Sequence, residues 1–165
     1  MTKRVVITGM GTINPLGDTL EGYYNALIAG KSGMKKWTSI DLSNVECKIG
    51  GDLGSYDVNA ALAGYADFLG SERFKAVKKL FRYTTFSARM AILTSLAAWK
   101  DAGLQMDEAD PWSTGVIVAG HNFNSNYMFE VTKQFQQEPE WIDAMAGVEA
   151  IDPNIPGIVS EVLAV

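Results

Sequence analysis

The beginning of the chain limits its fold more than any other part of the sequence. A short apolar run at residues 5–7 is followed by a glycine-rich stretch that ends in Pro15-Leu16-Gly17. An apolar run bounded by glycine is typical of a buried strand, predicted here over residues 4–9. Asp18 is a candidate N-cap, with Glu21 three residues later. The order therefore predicts a strand, a tight connection and a capped helix.

Length and composition favour one globular domain. The chain has 165 residues, of which 47% are hydrophobic and 20% are charged, which suffices for an ordinary core. The net charge of −5 argues against nucleic-acid binding, which needs a basic face. No apolar stretch approaches the roughly 20 residues that span a bilayer, and no signal peptide is recognised. We therefore expect a cytoplasmic protein without nucleic-acid or membrane partners.

The chain contains one cysteine and one histidine. Cys47 cannot form an internal disulfide, which suits a reducing compartment, and its place on a predicted strand suggests a small buried side chain. His121 follows a predicted buried strand, where a histidine is more often a hydrogen-bonded structural residue than a proton shuttle. We expect neither residue to be catalytic, and we expect no metal and no cofactor.

Strands and helices alternate along the chain. Further strands are predicted over residues 47–53 and 115–119, the second continuous and apolar as in a sheet covered on both faces. Glycine marks the ends of two predicted helices, at Gly30 and Gly103. Helices are predicted over residues 20–28, 71–102, 126–137 and 156–165. This alternation predicts an α/β fold.

The longest predicted helix has a periodic second half. Apolar side chains recur there at steps of three or four residues, which predicts the face that packs on the core. These residues are Phe86, Met90, Leu93 and Ala97.

Four segments in this order resemble the β-ketoacyl-acyl carrier protein synthases, condensing enzymes with a thiolase-like fold. The segments are residues 3–17, residues 24–33 with their Gly-Lys-Ser-Gly exit, residues 79–104 ending in Asp-Ala-Gly-Leu, and residues 114–118. Each motif alone is weak, but the four together at the right separations are specific. The resemblance implies an α/β fold that forms the N-terminal portion of the αβαβα layered architecture.

The resemblance also implies a chemistry. In such synthases a cysteine thiolate accepts an acyl chain from a carrier protein, malonyl-carrier protein decarboxylates, and the resulting carbanion attacks the thioester. The family's nucleophile follows the segment that residues 158–165 resemble. Residues 1–165 are therefore expected to be the N-terminal portion of a synthase domain, truncated before the nucleophile and without catalytic residues. We expect the remainder of a synthase chain, or a completing subunit, to supply them.

One functional surface is implied by the family. Synthases of this type dock the acidic acyl carrier protein on basic residues ahead of the long helix, and Lys75, Lys78 and Lys79 fall on matching positions. Their spacing places them on one helical face. Arg73 and Arg82 enlarge the cluster, which would steer an anionic partner. A solvated basic face without a partner is the alternative.

A second surface departs from the family pattern. Condensing enzymes usually have a glycine-rich loop after the third strand that shapes and gates the acyl pocket, whereas residues 119–126 here include His121, Asn122 and Phe123. We expect these three to line the substrate pocket. Asn122 falls near the apolar gate, where an asparagine opposite a fatty chain would lack hydrogen-bond partners. A short, polar acyl group is therefore expected.

Residues 152–163 resemble a subgroup of ketosynthase-like proteins that decarboxylate malonyl-carrier protein to acetyl-carrier protein for polyketide β-branching. Three hypotheses follow. The protein is a condensing enzyme of polyketide or fatty-acid biosynthesis, a malonyl-carrier protein decarboxylase, or a non-catalytic partner subunit of the chain-length-factor type. A homodimer or a heterodimer is expected in each case.

Overall fold

The computed structural model describes residues 4–151 and 154–165. The first two residues of the predicted decarboxylase-like stretch, Asp152 and Pro153, lie outside the described residues. The helices are α1 (Leu20–Ile28), α2 (Val58–Ala63), α3 (Ala66–Leu69), α4 (Ser71–Leu80), α5 (Phe86–Asp101), α6 (Ser125–Gln137), α7 (Ala146–Glu149) and α8 (Asn154–Leu163), with a 3-10 turn at Pro139–Trp141. Two short strands, β1 (Met34–Lys36) and β2 (Ile49–Gly51), form an antiparallel pair.

Helix α1 is confirmed, but its predicted cap is wrong. Thr19 is the N-cap, because its side-chain oxygen accepts the N–H of Gly22 at 3.1 Å. The Asp18 carboxylate instead accepts the hydroxyl of Tyr56 at 3.2 Å. The helix ends at Ile28, and the predicted stop, Gly30, follows the C-cap Ala29 with a φ of 64° in the left-handed region that glycine tolerates.

The strand predicted over residues 47–53 is confirmed in its centre, where β2 pairs with β1. The register places Met34 opposite Gly51 and Lys36 opposite Ile49. Gly50 is required there, because a Cβ at this position would lie 2.3 Å from the ring of Trp37. The ring of Trp37 therefore covers the sheet at Gly50, where there is no side chain to exclude it.

The carboxylate of Asp52 fixes the loop beside this sheet. Its oxygens accept the backbone N–H of Thr38 at 2.7 Å, of Ser39 at 3.2 Å and of Gly54 at 3.0 Å. These hydrogen bonds, led by that from Thr38, hold the pKa of Asp52 well below its ordinary value. The charged form of Asp52 is therefore part of the folded loop.

The other two predicted strands are wrong for the described part of the chain. Residues 4–9 and 115–119 have no ladder partner among the described residues. Val5 is 91% exposed and Ile117 is 96% exposed. A strand needs neighbouring backbone to pair with, but Gly9 lies instead against the backbone of α5.

The long helix predicted over residues 71–102 is two helices. The break covers residues 81–85, and Thr85 begins α5 as its N-cap with a non-helical ψ of 162°. Its hydroxyl accepts the N–H of Ala88 at 3.4 Å, and the hydroxyl of Thr84 donates to the carbonyl of Leu80 at 3.0 Å. The side chains of these two adjacent threonines thus form hydrogen bonds with the backbone, in competition with the hydrogen bonds of a continuous helix.

The core lies along α5, which packs on α8. The predicted stripe on α5 is rotated, because Phe86 is exposed while Leu93 is fully buried. Met90 and Ala97 are only half-buried. The buried side chains of the two helices are Ala88, Ile92, Leu93, Leu96, Ile155, Ile158, Val159, Val162 and Leu163. Helices α6 and α8 are confirmed at the predicted places, α8 beginning two residues earlier.

Candidate functional site

A basic face lies on α4. Lys75, Lys78 and Lys79 are all exposed, and Lys75 contacts the carboxylate of Glu72 at 2.9 Å. Because that pair is solvent-exposed on both sides, it holds Lys75 only weakly. Arg82 is exposed just beyond the end of the helix. We call Lys75, Lys78, Lys79 and Arg82 the basic face.

Arg73, the fifth residue of the predicted docking cluster, points elsewhere. Its guanidinium makes a two-point contact with the carboxylate of Asp107, with Nη1 3.2 Å from Oδ2. Its side chain is 24% exposed. The hydrogen bond from Arg73 lowers the pKa of Asp107. Arg73 therefore ties α4 to the loop after α5 and leaves the basic face with four cations.

A cleft of about 560 Å³ lies between the start of α5, the loop of residues 121–124 and α6. Arg82, from the basic face, lines it together with Asn122 and Phe123, two of the three predicted pocket residues. The cleft is also lined by Arg89, Asn126, Tyr127, Glu130 and Asp143. The structure therefore brings together the predicted docking surface and the predicted pocket loop.

The loop of residues 121–124, here called the cleft loop, has two unusual positions. Asn122 is exposed with a φ of 55°, a left-handed conformation that asparagine tolerates better than most residues. Phe123 is half-buried and packs against the core, over Gly120, where a Cβ would lie 2.2 Å from the ring. His121 is exposed and is not among the residues that line the cleft. Phe123 thus forms a wall of the cleft while Asn122 lies at its opening.

The tyrosine of α6 that lines the cleft is a neutral hydrogen-bond donor. Its hydroxyl donates to the carboxylate of Asp143 at 2.9 Å. Burial, together with this hydrogen bond, raises the pKa of Tyr127 to about 12. Tyr127 therefore stays protonated and holds Asp143 beside it in the lining of the cleft.

Cys47 is not among the residues that line the cleft. Cys47 is exposed rather than buried as predicted, with its sulfur 3.2 Å from the carbonyl of Ile49. Within residues 4–151 and 154–165, no three His, Cys, Asp or Glu side chains are grouped to hold a metal ion. In the same part of the chain, no helix has the length and apolar character needed to cross a bilayer.

Comparison with known proteins decides the family. The profile described as "Beta-ketoacyl synthase, N-terminal domain" matches residues 2–165. The chain belongs to the β-ketoacyl synthase family. The predicted resemblance is therefore confirmed over nearly the whole sequence.

Two relatives carry names that describe different activities. The chain is 28% identical to "Polyketide biosynthesis malonyl-ACP decarboxylase PksF" of Bacillus subtilis (strain 168), covering 98% of this chain and 36% of the relative. It is 33% identical to "3-oxoacyl-[acyl-carrier-protein] synthase 2" of a Synechocystis species, covering 70% of this chain and 24% of that relative. The chain thus spans about a third or less of the relatives it matches.

A polyketide synthase subunit and a solved structure complete the comparison. The ketoacyl synthase beta subunit of the tetracenomycin polyketide synthase from Streptomyces glaucescens is 28% identical over 85% of this chain and 31% of its own length. The ishigamide ketosynthase/chain length factor superposes with a TM-score of 0.71 at 18% identity, covering 96% of this chain and 36% of that one. The thiolase-like ketosynthase fold is therefore confirmed for this portion.

Sequence reasoning missed the residues that hold the cleft loop. Thr85, Asn124 and Glu149 are buried and hydrogen-bonded to one another, although they are distant in the sequence. A threonine before a helical pattern signals a cap, which could have identified Thr85. No local pattern marks Glu149, because its partners come from other segments.

Proposed function

We propose that the protein carrying this chain acts on acyl and malonyl thioesters of an acyl carrier protein. The observation that carries the proposal is the continuity of the basic face with the cleft through Arg82. An acidic carrier bound to Lys78 and Lys79 would place its thioester arm beside the cleft loop. The family membership of the chain supports this chemistry.

The reaction proposed first is a decarboxylative Claisen condensation. An acyl group is transferred to a thiolate nucleophile, malonyl-carrier protein loses CO2, and the resulting carbanion displaces the thiolate to give a β-ketoacyl-carrier protein. The residues of this chain supply the scaffold, the docking surface and one wall of the acyl site. The nucleophile and the groups that handle the carboxylate are not assigned to residues 1–165.

Decarboxylation without condensation is the second candidate. Asn122 places an exposed amide at the opening of the cleft, where the family's glycine-rich loop usually has an apolar gate. A polar gate disfavours a long acyl chain, whereas malonyl and acetyl groups are short. The Bacillus relative that covers 98% of this chain is named a malonyl-ACP decarboxylase, which supports the same candidate.

A third candidate is a partner subunit without catalysis of its own. The relative from Streptomyces glaucescens is a ketoacyl synthase beta subunit, and the superposed structure is named a ketosynthase/chain length factor. The exposed apolar segments at Val5 and Ile117 are surfaces that further protein would cover. A completing chain in a homodimer or heterodimer would do so.

One experiment separates these functions. The full-length protein is incubated with malonyl-loaded carrier protein, with and without an acyl-carrier protein, and the products are weighed by intact-protein mass spectrometry. A β-ketoacyl product formed only with the acyl donor supports condensation. Acetyl-carrier protein in both reactions supports decarboxylation. Absence of both products would overturn the enzymatic proposals.

A further inference from the structure

The carboxylate of Glu149 lies buried between α5 and α8, only 2% exposed. Oε2 accepts the backbone N–H of Thr85 at 3.1 Å, and Oε1 accepts the side-chain amide of Asn154 at 3.2 Å. One side chain at the end of α7 thus joins the first residue before α5 to the first residue of α8.

The cleft loop is attached to the same centre. Asn124 donates from its side-chain amide to the main-chain carbonyl of Glu149, and its amide oxygen accepts the hydroxyl of Thr85 at 3.0 Å. Both Asn124 and Thr85 are buried. Thr85, Asn124 and Glu149 are therefore hydrogen-bonded pairwise in a closed circuit. One of its members, Asn124, is two residues from Asn122 at the cleft opening.

A basic side chain in the cleft wall interacts electrostatically with Glu149. Arg89 lines the cleft, and its Nε is buried without a hydrogen-bond partner among the described residues. Burial lowers the pKa of Arg89, and the charge of Glu149 opposes that effect. A buried carboxyl group needs hydrogen-bond partners, and Glu149 has them in Thr85 and Asn154.

We infer that Glu149 is a positioning residue, which sets the cleft loop against α8 and so fixes Asn122 at the opening of the acyl site. The inference rests on the proposed function. Glu149 touches neither the cleft opening nor the basic face, so it acts through Thr85 and Asn124. In a condensing or decarboxylating enzyme, such a residue controls the geometry of the bound acyl group rather than carrier affinity.

Hydrogen–deuterium exchange of the full-length protein tests the circuit directly. Glu149→Gln should speed exchange about tenfold at residues 120–126 and 154–158, since losing one buried hydrogen bond shifts local opening by that factor. Asn124→Ala should speed exchange in the cleft loop alone. The matched control is Glu161→Gln, an exposed glutamate on α8, which should change neither segment. An equal rise along α4, or no rise in the cleft loop, would overturn the inference.

Turnover of malonyl-carrier protein supplies the second readout. Glu149→Gln should lower kcat about tenfold with KM for the carrier protein unchanged, because the basic face on α4 is untouched. Asn124→Ala should act in the same direction, which keeps the test open if a Glu149 variant does not fold. A loosened cleft loop with unchanged kcat would overturn the positioning role. If the wild-type protein turns over no thioester, the proposed function fails, whereas the exchange pattern still decides whether Glu149 couples the loop to α8.

Discussion

Gly11 lies so close to α5 that a Cβ added to it would stand 2.3 Å from the carbonyl oxygen of Thr94. Backbone cannot yield as a flexible side chain can, so the glycine is required by close approach rather than by a special φ. We expect Gly11→Ala to lower the free energy of unfolding by about 3 kcal/mol, the upper range for overpacking. Gly115→Ala is the matched control, because no atom lies within 4 Å of its added Cβ. Equal stability of the two variants in urea unfolding would contradict this packing.

Charge reversal on the basic face should weaken carrier docking. We expect Lys78→Glu with Lys79→Glu to raise KM for malonyl-carrier protein at least about tenfold with little change in kcat, because opposite charge at the docking surface is replaced by like charge. This increase in KM should become smaller as the salt concentration rises, because salt screens charge interactions. The charge reversal of Lys35 and Lys36, which are also exposed and lie on β1, serves as the control. An equal increase in KM for both double variants would show that carrier binding depends on net charge alone and not on the basic face.

The amide of Asn122 should set acyl-chain length. We expect Asn122→Leu to raise the use of an octanoyl-carrier donor relative to an acetyl one about tenfold, since an apolar gate removes the cost of burying an amide against the chain. Asn122→Gly is the control for backbone effects, because it removes the amide side chain while glycine accepts the φ of 55° without strain. If the use of the octanoyl donor relative to the acetyl donor rises equally in both variants, the effect comes from the backbone rather than from the apolar side chain.

Acid should destabilise the loop around Asp52. Its pKa is held below the ordinary value by the hydrogen bonds from Thr38 and Gly54, so its stabilising effect is present above the unfolded-state pKa of about 4. That contribution is lost as the pH falls towards the lower folded-state pKa. The difference in unfolding free energy between wild type and Asp52→Asn should therefore be constant near neutral pH and shrink below about pH 4.

Urea unfolding at a series of pH values measures this difference. Asp67→Asn is the control, because Asp67 is exposed on the short helix α3. A difference for Asp52→Asn that persists unchanged at pH 3 would mean that the charge does not hold the loop.

Local sequence patterns, namely helix-ending glycines and apolar spacing, predicted the positions of several helices. Helix α1 ends before Gly30 and α5 ends before Gly103, and both glycines adopt the left-handed φ that commonly terminates a helix. Helix α8 buries one apolar face, whereas α6 forms at its predicted place although none of its residues is fully buried. The family was also recognisable, because its motifs are backbone and packing requirements rather than catalytic residues.

The remaining features depend on tertiary partners. The apolar runs at Val5 and Ile117 have the composition of strands, but pairing is a property of neighbours that local sequence does not contain. The break before α5 depends on the buried hydroxyls of Thr84 and Thr85, and the place of Glu149 depends on residues 25 and 64 positions away. The cleft loop was predicted as a pocket, yet its exposed His121 lies outside the cleft.

The segment between α4 and α5 is anchored in the protein interior. Phe81 is buried immediately after α4, and Thr84 and Thr85 are buried immediately before α5. Buried side chains therefore hold the end of α4 to the start of α5, which forms one side of the cleft. The distance between the basic face and the cleft is thus set by the fold itself, before any partner binds.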